Sequence, residues 1–269
     1  MKSMITVKPA LTALLFSVVA GSYGMSALSQ TPEEIGLRIE KEYHEALDGF
    51  ANYTANLNML LRNRQGQESE RQLRIKVLEM ENDGDRSLFI FDEPRDVAGT
   101  AFLVHSRREE NDEQWLYLPA LQRVKRIASS NRSGSFMGSE FAYEDMGVPE
   151  VEKFTYKYLR DESCANSECT VTERYPVDKR SGYRRQVVWR DKDELRIRRI
   201  EFYDRKDSLL KTLNFEDYQQ YQDRYWQAHT LDMVNHVTGK STTLTWSDFV
   251  YGEDVNANEF TQTGLRRIR

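Results

Sequence analysis

From Tyr53 to about Tyr251 the chain is a run of short segments of β-branched, aromatic and alternating character, each closed by turn chemistry, with no helical stretch between them. The segments run Tyr53 to Leu61, Glu70 to Met80, Ser87 to Phe91, Gly99 to His105, Gln114 to Leu118 and Arg123 to Ile127. After an irregular stretch come Lys153 to Leu159, Thr170 to Tyr175, Arg184 to Trp189, Leu195 to Tyr203, Leu209 to Phe215, Arg224 to Asn235 and Ser241 to Val250. Connectors such as Asn63-Arg64-Gln65-Gly66, Asn82-Asp83-Gly84 and Thr238-Gly239-Lys240 are hairpin chemistry, because Asn, Asp and Gly tolerate positive φ. Parallel strands need crossover helices that this sequence lacks. The expectation is a mostly β (α+β) fold, an antiparallel meander curled into a barrel or half-barrel. No self-similarity at a period of about 20 to 50 residues suggests a propeller or solenoid.

Alternation supplies part of the facing. Leu73, Ile75 and Val77 share one face of their strand and Gln72, Arg74 and Lys76 the other; Phe154, Tyr156 and Tyr158 alternate in the same way with Lys153, Thr155 and Lys157. Leu88-Phe89-Ile90-Phe91 and Trp115-Leu116-Tyr117-Leu118 are apolar on both faces, so something covers the second face. Two covers are available: an N-terminal helix and the irregular stretch between residues 128 and 152. The helix begins at Thr31-Pro32-Glu33-Glu34, where Thr31 can cap, Pro32 suits the first helical position and Glu34 completes a capping box. Ile35, Ile39, Tyr43, Ala46 and Phe50 then recur near helical spacing, and Gly49 is a natural stop.

Ahead of this helix, Lys2 and Lys8 precede the apolar run Ala10 to Ala20, which leads into small residues. That run is about half of what a membrane span needs and reads as a secretory signal over residues 1–29, cleaved after Ser29 with Ala27 and Ser29 as the small −3 and −1 side chains. A retained anchor is the competing reading. No cysteine lies near the cleavage point to carry an acyl anchor. Residues 30–269 then form a single domain of about 240 residues, and the formal net charge falls from −5 to −7. Such an acidic chain is a poor nucleic-acid partner. A mean hydropathy of −0.71 fits a heavily solvated surface.

Cys164 and Cys169 are the only cysteines. In an oxidising compartment they read as a disulfide closing a small loop, and a zinc half-site is the alternative. A structural zinc site needs further ligands, and His44, His105, His229 and His236 are scattered, so no metal or cofactor is expected. Catalytic signatures are absent too: Gly134-Ser135-Phe136-Met137-Gly138 carries its serine at the wrong position for a nucleophile elbow. Glu140, Glu144 and Asp145 are close enough in sequence to share a proton, but read better as a solvated loop edge. The chain is not expected to be an enzyme.

The most distinctive stretch runs from Leu118 to Met146, a strand ending in a small, polar loop that nevertheless holds Phe136, Met137, Phe141 and Tyr143. Bulky apolar residues on such a loop either pin it to the core or form a mobile lid over a ligand cavity. With Asp96-Val97-Ala98-Gly99-Thr100 and Trp115-Leu116-Tyr117, the combination of Gly134-Ser135-Phe136-Met137-Gly138-Ser139 and Tyr143-Glu144-Asp145 resembles the LolA-like family of outer-membrane lipoprotein-sorting proteins. The resemblance extends from about residue 70 to the hairpin between Asn235 and Thr242. It implies an open, strongly curved antiparallel sheet whose concave side holds a hydrophobic cavity plugged by helices and a loop. It further implies a periplasmic carrier like LolA and LolB, which shield acyl chains in transit, or an accessory of an RND/MMPL-type exporter.

Phe89, Phe91, Trp115, Tyr117, Phe136, Met137 and Phe141 are the candidate cavity or lid residues for a lipid or acylated protein. Arg123, Lys125, Arg126 and Arg132 form a basic cluster, with Arg123 and Lys125 on one strand face, suited to an anionic headgroup, a transient membrane-surface contact or an acidic partner. The alternative is an interaction module that docks on an exporter and carries nothing.

Overall fold

The computed structural model describes residue 1 and residues 30–164 and 167–268. The expected signal segment and its cleavage point lie outside the described residues, Met1 apart. Residues 31–269 form one compact unit, and among the described residues no helix is long and apolar enough to cross a membrane.

Among the described residues thirteen strands build one sheet. Its first half comprises β1 (Asn52–Arg62), β2 (Glu68–Leu78), β3 (Arg86–Glu93), β4 (Ala101–His105), β5 (Glu113–Leu118) and β6 (Arg123–Arg126). The second half comprises β7 (Phe154–Cys164), β8 (Ser167–Pro176), β9 (Tyr183–Asp191), β10 (Ile197–Asp204), β11 (Leu209–Tyr221), β12 (Tyr225–Asn235) and β13 (Ser241–Tyr251). The spatial order β6-β5-β4-β3-β2-β1-β13-β12-β11-β10-β9-β8-β7 is two antiparallel meanders, joined where β1 pairs with β13. The sheet is curved and unclosed, with β6 and β7 at its edges. Every expected strand is present; β7 and β11 run several residues past their expected ends.

Turn chemistry behaves as read at Gly66 and Gly239, both at positive φ, and Asn63 Oδ1 accepts from the Gln65 and Gln67 amides. Gly84 serves a different need. A Cβ there would lie 2.6 Å from the Ser106 carbonyl carbon and 2.7 Å from Glu150 Oε1, so the β2–β3 turn requires glycine for close approach.

The N-terminal helix α1 (Pro32–Leu47) carries the expected capping box between Thr31 and Glu34. Its buried stripe is Gly36, Ile39 and Glu40, while Ala46 is exposed. A Cβ on Gly36 would lie 2.8 Å from the Lys157 amide nitrogen, so the helix backbone sits directly on β7. Glu40, fully buried, meets Arg190 Nη2 at 2.6 Å and lies 3.7 Å from Arg174 Nη1. An ion pair in so dry a place tolerates no missing partner.

Two apolar layers flank the first half of the sheet. Leu73, Ile75, Phe89, Phe91, Phe102 and Leu116 face the concave side, where Phe136 and Phe141 of the 128–152 stretch join them. Leu88, Ile90, Leu103 and Trp115 face the convex side. Neither expected cover lies there. A segment near the C-terminus does: Phe260, the last residue of the turn Ala257–Phe260, and Leu265 of the short helix α2 (Gln262–Leu265) are both fully buried against that face. The hairpin β7–β8 carries the Cys164–Cys169 disulfide, which disposes of the zinc half-site.

Candidate functional site

The concavity is filled unevenly. Toward the β3–β4 and β12–β13 turns, the loop from Ser133 to Met146 plugs it. Phe136 is fully buried with its ring centroid 5.0 Å from Phe102 and 6.0 Å from Phe91. Arg71 donates to the Met137 carbonyl, the Glu140 amide donates to Thr242 Oγ1 at 2.9 Å, and Asn235 Nδ2 donates to Glu140 at 2.6 Å. Glu144 accepts from Ser181 Oγ and the Gly182 amide, and Asp145 from the Ala142 amide and the Tyr183 hydroxyl. The three acids are therefore separate pins holding the loop to the sheet, and the expected solvated edge is not found. Burial raises the Asp145 and Glu144 carboxyls above their usual range.

Toward the opposite end the concavity is open, a cavity of about 1090 Å³. Ile75, Val77 and Phe89 line one wall; Leu231, Leu244, Trp246 and Phe249 line the other; Phe141 and Met146 of the plug form its inner limit, and Tyr43 and Phe50 close the side below α1. At the mouth the Tyr225 and Tyr251 rings stack with centroids 5.5 Å apart, and Tyr53 lies 5.4 Å from Tyr251.

The rim is acidic. Asp48, Glu79, Glu81, Asp83, Asp85 and Glu150 border the cavity. Glu79 is committed to the Gly49 and Ala51 amides at 2.5 and 2.6 Å, and Asp83 to Arg107. Burial pushes the Asp85 carboxyl up to about 7, and burial together with the nearby Asp85 charge does the same to Glu150, also to about 7. Among the described residues no group of three or more His, Cys, Asp or Glu side chains is placed to hold a metal ion.

The sequence-expected residues divide. Phe89 and Phe141 line the cavity. Phe91 and Phe136 are buried behind it, and Met137, at φ 49°, holds the plug by its carbonyl. In the structure the loop is packed into the concavity as a plug. Trp115 and Tyr117 lie on the opposite, convex face, grouped with Val124 and Phe260, because on a strand buried on both sides alternation does not say which side is concave. In the basic cluster, Arg126 pairs with Glu113 at 3.0 Å. Arg132 is 13% exposed and pairs with Asp112 at 3.0 Å, so it ties the plug rather than offering a contact. Arg123 and Lys125 are exposed on the edge strand and make no ion pair among the described residues.

The aromatic wall on β11 to β13 was missed, and its cause is local. Asp248 has a left-handed φ of 53°, and an extra residue of β13 opposes β1 between Thr54 and Asn56, a β-bulge. The bulge puts Trp246 and Phe249 on the same face. Asp217 is likewise left-handed at φ 54°, and Phe215 and Tyr218 on either side of it both line the cavity. An aspartate followed by an aromatic is the signal available in sequence, since Asp tolerates this conformation better than most residues.

A protein-family model described as "Uncharacterized protein" matches residues 83–267. Among solved structures, a domain from Vibrio parahaemolyticus, provisionally described as an outer membrane lipoprotein-sorting protein, is 51% identical; the match covers 87% of this chain and all of that one, with a TM-score of 0.86. A DUF1329 family protein from Desulfovibrio piger is 29% identical over 88% of this chain and all of that one, with a TM-score of 0.83. A LolA superfamily protein from Nitrosomonas europaea, 19% identical over 88% of this chain and all of that one, shares the fold with a TM-score of 0.68. No curated protein matches the sequence.

Proposed function

This chain belongs to the LolA-like family of outer-membrane lipoprotein-sorting proteins, and from that premise we propose that it is a periplasmic carrier that shelters the acyl chains of a lipid or lipoprotein in its concave cavity. The observation that carries this reading is the open half of the concavity. Its volume of about 1090 Å³ lies just above the usual range for small-molecule sites, and its walls are predominantly apolar and aromatic. Burying an acyl chain there releases about 0.8 kcal/mol per CH₂ without demanding specific polar partners.

The binding step is non-covalent and calls for no cofactor and no catalytic residue. Residues 1–29 act as a removable export signal, residues 30–269 as the single working domain, and the Cys164–Cys169 disulfide suits the oxidising compartment to which export leads. Phe89 and Phe141 serve as wall residues; Phe91, Phe136 and Met137 support them from behind. Arg123 and Lys125, exposed at the open sheet edge, serve as the contact with an acidic surface of an RND/MMPL-type exporter or with anionic headgroups at a membrane. The same exposed edge is what favours the second reading, a docking module without cargo.

Mass spectrometry of organic extracts tests the two. The mature protein is purified from the periplasm without detergent and compared with an unrelated periplasmic protein. A stoichiometric lipid or acylated peptide is expected; an empty protein transfers the weight to the docking module.

A further inference from the structure

The cavity mouth is chemically one-sided. Asp48 and Glu81 border it, and their carboxylates make no hydrogen bond or ion pair among the described residues. Asp85 takes one backbone bond, from the Met80 amide at 3.3 Å. Asn52, also on the lining, has a side-chain Oδ1 that is buried without any hydrogen-bond partner. Two of the three arginines on the lining are held by close partners, and Arg108 is held only loosely. Arg196 pairs with Asp191 at 2.8 Å, Arg108 lies 4.0 Å from Glu150, and Arg224 donates to the Glu45 carbonyl at 3.2 Å while its guanidinium lies over the Tyr225 ring.

The unpaired carboxylates of Asp48 and Glu81, with Asn52 Oδ1, thus outweigh the one weakly held cation, Arg108, at the mouth. A buried acceptor without a partner costs free energy that an incoming donor removes. Carboxylates above a low-dielectric wall focus a negative potential, and bringing a like charge against it is unfavourable. The Tyr53, Tyr225 and Tyr251 rings beside the mouth add faces that attract cations.

Resting on the carrier reading above, we propose that the cavity selects amphiphiles whose polar end donates hydrogen bonds and is uncharged or cationic, such as a hydroxyl, amide or ammonium group, and discriminates against ends bearing a phosphate or carboxylate. The acyl chain occupies the aromatic and aliphatic interior. The head stays at the rim, facing Asn52, Asp48 and Asp85.

Three palmitoyl probes with matched chains test this on the mature protein at pH 8 and low salt: monopalmitoylglycerol, its phosphate palmitoyl-lysophosphatidic acid, and N,N-dimethylpalmitamide, which is neutral but has no donor. The glycerol ester is expected to bind at least about tenfold more tightly than the phosphate, and about threefold more tightly than the amide. Raising ionic strength narrows the first gap in the unaltered protein, and a folded Asp48→Asn, Glu81→Gln, Asp85→Asn triple variant narrows it to within about threefold. Equal or tighter binding of the phosphate overturns the proposal, as does a gap indifferent to both salt and the triple variant. Equal binding of the amide and the glycerol ester overturns the donor requirement. If none of the three binds, the carrier reading itself is refuted, an outcome distinct from lost selectivity.

Discussion

Trp246 and Phe249 stack with ring centroids 5.8 Å apart, although a strand that alternated regularly would place residues three apart on opposite faces. The bulge at Asp248 brings them together, and Asn56 Nδ2 holds it by donating to Asp248 Oδ2 at 2.9 Å. Much of the cavity's aromatic wall on β13 depends on one left-handed residue.

Asp248→Val puts a β-branched side chain at that positive φ and should cost about 1–2 kcal/mol of stability. Asp248→Gly relieves the backbone and forfeits only the exposed bonds from Asn56 and the Ser247 hydroxyl. Denaturant titration of both variants distinguishes them, and a valine variant as stable as the glycine variant contradicts the role given to the bulge.

Phe136→Ala empties a fully buried site packed against Phe89, Phe91 and Phe102. The expected loss is about 3–5 kcal/mol, as for other buried phenylalanines. A mobile lid would behave differently, losing ligand retention with little change in the unfolding midpoint.

Glu40→Ala leaves Arg190 buried without its carboxylate, an uncompensated charge that should cost about 3–5 kcal/mol. Gly36→Ala should release the same helix by steric contact with the Lys157 backbone. Hydrogen exchange reads both, since amides of α1 should lose protection before those of the central strands; uniform loss across the sheet would contradict the placing of the defect.

Stability should fall as pH rises through neutrality. Asp85 and Glu150 have native values of about 7, above the 3.8 and 4.5 of free carboxyls, so the native state keeps protons that the unfolded chain gives up. Their stabilising contribution is complete below about pH 4 and is lost as pH passes 7. Asp85 faces Glu79, Asp48 and Arg108, and Glu150 faces Asp85, Arg108, Glu152 and Asp112. The melting temperature should be higher at pH 6 than at pH 8, and an Asp85→Asn, Glu150→Gln double variant should narrow the difference. An unchanged slope in that variant assigns the effect elsewhere.

Reduction of the Cys164–Cys169 bond should cost about 2 kcal/mol, the entropy of closing so short a loop. A Cys164→Ser, Cys169→Ser variant should match the reduced protein in denaturant; a much larger loss would mean that packing of the buried Cys169 dominates.

The meander was legible in sequence because turn residues such as Asn63 and Gly239 punctuate it and strands such as β2 keep one dry face. Phe141 was legible as an apolar residue on a polar loop, whereas Phe89 stands on a strand apolar on both faces and its side was settled only by packing. Trp115 and Tyr117 went to the wrong face because both faces of β5 carry apolar residues and only tertiary packing decides between them. The convex cover was missed because Phe260 and Leu265 stand alone in a polar tail with no periodicity. The walls on β11 and β13 were missed because the left-handed Asp217 and Asp248 interrupt the alternation that a strand reading depends on.

Photocrosslinking tests the central claim most directly. The mature protein is loaded with a palmitate analogue carrying a diazirine near the chain end, irradiated and mapped by peptide mass spectrometry. Labels are predicted on the cavity walls, in β2 and β3 around Ile75 to Phe89 and in β12 and β13 around Leu231 to Phe249. Labels confined to the convex face beneath Phe260 and Leu265, or spread evenly over the surface, would contradict a carrier working through this cavity.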